Sequence, residues 1–213
     1  MPPAADASLP QWTVLPGSRR HRTLNVLSRE KAMMASHDLH PLARDVLDAF
    51  ATQTYFRSLR LAKALADRSP TQCVRWAFTL VEPFVNASTP HEVVTDTLAA
   101  VRNAIASPSA DELAQLNELS WKSWCSGSFD ERSPFAQRAV ARLGWASMLL
   151  IGAATRTRFE SEHTGVHISA NANGAICEMA NQCGMAVDMI HAGTNAGRVM
   201  VAASFSREMA APT

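Results

Sequence analysis

One thiol and three imidazoles are the groups in this chain whose types suit covalent or proton-transfer chemistry. They are Cys125, set among hydroxyls in Trp124-Cys125-Ser126-Gly127-Ser128, and His91, His167 and His191. A reactive cysteine needs its thiolate stabilised by a helix N-terminus or a nearby imidazolium. The residue pattern instead puts Cys125 at the end of a helix closed by Gly127. There the dipole is negative and works against a thiolate. The nine glycines build neither a Gly-x-Ser-x-Gly elbow nor a Gly-x-Gly-x-x-Gly phosphate loop.

Metal binding would draw on Cys177, Cys183, His163, His167 and His191. Tetrahedral zinc favours closely spaced ligand pairs. On one helix, Cys177 and Cys183 would stand about 240° apart around the axis, and Cys183 and His191 about 12 Å apart along it. Only His163 and His167 have ligand-like spacing, and Gly165 between them weakens a helix that would align them. The acidic pairs Asp111/Glu112, Asp130/Glu131 and Glu160/Glu162 fall in turns and loops, where carboxylates are solvated. The sequence therefore predicts no metal, no cofactor and no catalytic residue. An enzyme would have to assemble Cys125, His91, His167 or His191 from distant helices.

The elements that would position these groups are marked by three helix starts spaced twenty residues apart: Ser69-Pro70-Thr71-Gln72, Thr89-Pro90-His91-Glu92 and Ser109-Ala110-Asp111-Glu112. Each has a hydroxyl at the N-cap and Glu or Gln three positions on, the pattern of a capping box. Two of them place Pro at the first helical position. Apolar stripes fit the helices so punctuated: Leu42, Val46, Leu47 and Phe50; Leu59, Ala62 and Leu65 within a helix from about Tyr55 to Asp67; Cys73, Ala77, Leu80, Val81 and Phe84; Val94, Leu98, Val101 and Ile105. Leu113, Leu116 and Leu119 then lead to Trp121 and Trp124. The stretch Leu143 to Ala154 is apolar nearly all round, the mark of a central helix. Ile176, Met179, Ala180, Cys183, Val187 and Ile190 follow, with an eighth helix from Arg198 to Met209. The tryptophans at 76, 121, 124 and 145 are predicted to fill the core, since no basic strip interleaves with them.

The predicted fold is all-α: a multi-helix bundle of about seven or eight antiparallel helices over residues 38–213. A change of texture near 160 marks a sub-boundary. A poorly ordered arm, residues 1–37, precedes the bundle; it holds four prolines and five basic against two acidic residues. Net charge is +1, with 47% hydrophobic and 18% charged residues, which fits a globular chain with no field that draws nucleic acid or membrane. Four cysteines in so long a helical chain read as buried hydrophobes of a reducing compartment. The longest uncharged run is too short to cross a bilayer, so the expected setting is cytoplasmic.

Residues from about 59 to 154 resemble an uncharacterised bacterial helical family, often encoded beside type VI secretion components. The similar pieces are Arg75-Trp76-Ala77, Ser107-Pro108-Ser109 with its acidic turn, Trp124-Cys125-Ser126-Gly127-Ser128, and Ala139-Val140 ahead of the apolar helix. The resemblance implies a secretion accessory role and supplies no catalytic residues. The expectation is a non-enzymatic helical adaptor with a protein partner. An enzyme built from distant helices and a regulator using the basic arm on nucleic acid are the alternatives.

Overall fold

Pro stands first in three of the helices, and hydroxyls cap others, so local chemistry accounts for most of the boundaries. The computed structural model describes residues 39–52, 58–86, 92–126, 134–160, 167–168 and 172–212. Within them lie eight α-helices: α1 (Pro41–Thr52), α2 (Leu59–Arg68), α3 (Pro70–Asn86), α4 (Glu92–Ala106), α5 (Leu113–Ser126), α6 (Pro134–Thr155), α7 (Ala172–His191) and α8 (Asn195–Ala210). Two strands of two residues each, β1 (Phe159–Glu160) and β2 (His167–Ile168), pair antiparallel between α6 and α7. The fold is the expected all-α bundle, with this short ladder as the one described departure from helix. The arm, the Thr89-Pro90-His91 stretch and Gly127 lie outside the described residues.

The capping boxes are only half made. Ser69 Oγ accepts the Gln72 N–H at 3.3 Å, but the Gln72 amide reaches across to Glu208 on α8 instead of back to the cap. Ser109 Oγ accepts from Asp111 at 3.4 Å, so Ala110–Glu112 tightens into a 3-10 turn and α5 starts only at Leu113. At α8, Thr194 Oγ1 accepts the Gly197 N–H at 3.0 Å. His40 caps α1 through Nδ1, which accepts the Leu42 N–H at 3.2 Å.

Helix α6 is the centre, packed by α3, α4, α5 and α7. Its residues Ala139, Val140, Leu143, Ala146, Met148, Leu149 and Ile151 are fully buried. Beyond the strand pair, α7 returns along α6 and onto α2 and α3, while α8 packs on α1, α3 and α7. Trp76 and Phe205 meet edge-on at 6.5 Å within the core. No helix among the described residues is long and apolar enough to cross a membrane.

Two placements differ from the apolar pattern. Phe84, assigned to the buried stripe of α3, is 43% exposed; Pro83 precedes it within the helix, and Val85 is buried instead. Trp121 is 37% exposed, because the inward face of α5 carries Ser120 and Ser123. Small residues are required on that face. A Cβ at Gly144 of α6 would overlap Ser120 Oγ and sit 3.4 Å from the Thr97 methyl. Ser120 Oγ donates to the Leu116 carbonyl at 2.6 Å, and Thr97 Oγ1 and Ser123 Oγ lie 2.9 Å apart. The helices thus approach closely with every hydroxyl of the seam hydrogen-bonded.

Candidate functional site

Cys125 is the penultimate residue of α5 and is half-buried. Among the described residues no hydrogen bond joins it to a histidine. Its neighbours tie helices together: Ser126 Oγ bonds the Ser123 carbonyl at 2.8 Å and lies 3.2 Å from Gln137 Oε1 of α6. His167 is paired through its backbone with Glu160, and His91 lies outside the described residues.

His191 ends α7 and is 1% exposed. Its Nε2 donates to the Leu80 carbonyl at 2.9 Å, which fixes the tautomer and leaves Nδ1 as a buried acceptor without a partner. Phe84 covers the ring edge-on at 4.7 Å. Burial pushes the His191 pKa below its usual value against the opposing Leu80 bond, so the ring is neutral and sealed. One turn earlier, Asp188 Oδ1 accepts the Ser58 N–H at 3.1 Å. Burial pushes the Asp188 pKa up to about 6, against the lowering effect of Ser58. Gly184 makes this junction possible, since a Cβ there would lie 2.8 Å from Leu59 Cα. These groups fasten α7 to α2 and α3.

Cys73 and Cys183 are fully buried where α2, α3 and α7 meet. The Cys73 thiol donates to the Ala62 carbonyl at 3.3 Å. A hydrogen bond with Cys73, followed by burial, holds the Cys183 thiol well above its usual pKa, which suppresses thiolate chemistry. Cys177 lines a shallow groove of about 310 Å³ with Lys63, Asp67 and Ile176. Among the described residues, no group of three or more His, Cys, Asp or Glu is placed to hold a metal ion.

A different cluster stands out at the end of the bundle where α5 stops and α6 starts. Arg138 and Arg142, one turn apart on α6, place their guanidinium carbons 5.3 and 5.2 Å from the ring centroid of Trp124. Trp145, the next residue on that face, lies 5.5 Å from Trp124. Each cation–π contact contributes about 0.5–2 kcal/mol, depending on desolvation. Arg142 Nη1 donates to Gln182 Oε1 at 2.8 Å, and the Gln182 amide donates to Glu178 Oε1 at 2.6 Å. Asn181 Nδ2 holds the other Glu178 oxygen at 3.0 Å. Burial lowers the Arg142 pKa, and Glu178 offsets this from behind the amide. Arg138 has no such relay. The inward Nε–H groups of both arginines are buried without an acceptor among the described residues. Beside them Phe135, one turn before Arg138, is 61% exposed.

Sequence reasoning set Trp124 and Trp145 in the core and passed over the arginines. The readable signal was the spacing of Arg138, Arg142 and Trp145, which places a cation, a cation and an aromatic on one helix face. Comparison of the chain with family models, with curated proteins and with solved structures finds no match to any of them.

Proposed function

We propose that this protein is a non-enzymatic helical adaptor that binds a protein partner at the end of the bundle where α5 stops and α6 starts. The observation that carries this reading is the pair Arg138 and Arg142, held over Trp124 without a direct carboxylate partner among the described residues, next to a phenylalanine 61% exposed. Arginine and aromatic side chains held rigidly at a surface are the usual anchors of protein interfaces. The catalytic candidates support the same reading: His191 is sealed, Cys125 has no activating group among the described residues, and burial beside Cys73 holds the Cys183 thiol neutral. The resemblance of residues 59–154 adds the context of an accessory role in bacterial secretion. A cytoplasmic setting agrees with four cysteines that are all unpaired.

Site-specific photo-crosslinking in the native host tests this. A photoreactive residue at position 135 is expected to give one discrete adduct, identified by mass spectrometry. The same residue in place of Lys63, exposed on α2, gives none. Identical adducts at both positions, or no adduct at 135, would overturn the assignment of the surface.

A further inference from the structure

The chemistry of the arginine pair narrows the partner. Stacking removes one face of each guanidinium from water, and the buried Nε–H groups have no acceptor among the described residues. A partly desolvated cation gains more from an anion than a fully hydrated one, because the local dielectric is lower. Arg142 is partly neutralised by Glu178 through Gln182, whereas Arg138 makes no hydrogen bond or ion pair among the described residues. The outward terminal nitrogens of Arg138 are therefore the strongest unmet demand for an oxyanion, and their planar fork matches a carboxylate. Phe135 precedes Arg138 by one turn, and Met185, three residues beyond Gln182 on α7, is also an exposed large apolar side chain. Cation and apolar surface thus lie side by side.

We propose that the Arg138–Arg142 pair receives a carboxylate side chain of an acidic partner peptide, with Phe135 covered by an apolar residue next to that carboxylate. This rests on the adaptor reading and names the chemistry of its partner. A peptide suits the site better than a nucleic acid for two reasons. The chain carries a net charge of only +1, and Glu178 at the back of the cluster would repel a row of phosphates. A single carboxylate anchored beside an apolar contact meets the Glu178 repulsion once, not along a whole row of charges, and does not depend on net charge.

The test is an array of peptides that place Glu or Asp at varied spacing from Phe or Leu. Beside it stand the matching Gln and Asn peptides and a single-stranded oligonucleotide of equal charge, all probed with the full-length protein. Acidic peptides are expected to bind about tenfold or more tighter than their amide counterparts, a difference of about 1.4 kcal/mol. The preference should shrink with added salt and vanish in Arg138→Gln. Phe135→Ser should weaken binding while keeping the preference for acid. Circular dichroism of each variant confirms that it is folded. The proposal is overturned if no acidic peptide binds better than its amide form, if Arg138→Gln keeps the preference, or if the oligonucleotide binds as tightly. Loss of the acid preference while position 135 still crosslinks to a partner would remove this inference and leave the adaptor reading intact.

Discussion

Arginine plays opposite parts at two ends of this molecule. At the junction of α2 and α8, Arg68 donates to the Met209 carbonyl at 2.6 Å and the Glu208 carbonyl at 3.3 Å, and its other nitrogen bonds the Ala211 carbonyl. Gln72 adds a bond to the Glu208 carbonyl at 2.9 Å. The last carbonyls of α8 thereby gain the donors and positive charge that a helix C-terminus lacks. At the α5–α6 end, Arg138 lies over the Trp124 ring, but its terminal donors meet no partner among the described residues. The first site closes the structure. The second holds a cation ready for something outside it.

The largest expected effect belongs to the closed side. Gly184→Ala should gain up to about 1 kcal/mol in helix propensity, yet it brings a Cβ to 2.8 Å from the Leu59 backbone. Forcing α7 away from α2 should outweigh that gain, for a net loss of about 2 kcal/mol, measured by denaturant unfolding. A neutral or stabilising result would show that the α2–α7 junction is loose. Next, Arg68→Gln should lose about 1–2 kcal/mol as the α8 carbonyls lose a charged donor. Arg138→Gln should lose less, about 0.5–1 kcal/mol, the worth of its contact with Trp124. Equal losses at the two arginines would erase the contrast between the sites.

The last effect is read from pH. The folded pKa of Asp188, about 6, lies above its ordinary 3.8. Between those values the folded chain keeps a proton that the unfolded chain releases, so this group makes stability fall as pH rises from about 4 to about 6. His191 acts in the opposite sense. Its folded pKa is lowered, so the unfolded chain protonates first as pH drops below 6.5, and stability falls with it. Asp188→Asn removes only the first contribution. Its stability relative to the parent should therefore increase from pH 4 to pH 6, and a constant difference would contradict the burial of this carboxyl.

The helices were legible because their signals are local. Proline at the first position foretold the start of α3, and an all-round apolar stretch foretold the central place of α6. What escaped was set by the partner helix. Serine reads as a surface residue, yet Ser120 and Ser123 are buried because Gly144 and Thr97 let α5 come close. Trp121 turns outward as a result, and Phe84 leaves its stripe at Pro83. The candidate site escaped for a similar reason. Arg138 and Arg142 look like ordinary solvated charges until Trp124, from a separate helix, lies against them.

The seam between α5 and α6 also limits how the gene can change length. Each added residue turns the rest of a helix by about 100°. One insertion within α5 would rotate Ser120 away from Gly144 and present a bulkier neighbour to a space that admits no Cβ. Insertions and deletions are therefore barred from the helical stretches that form the seam.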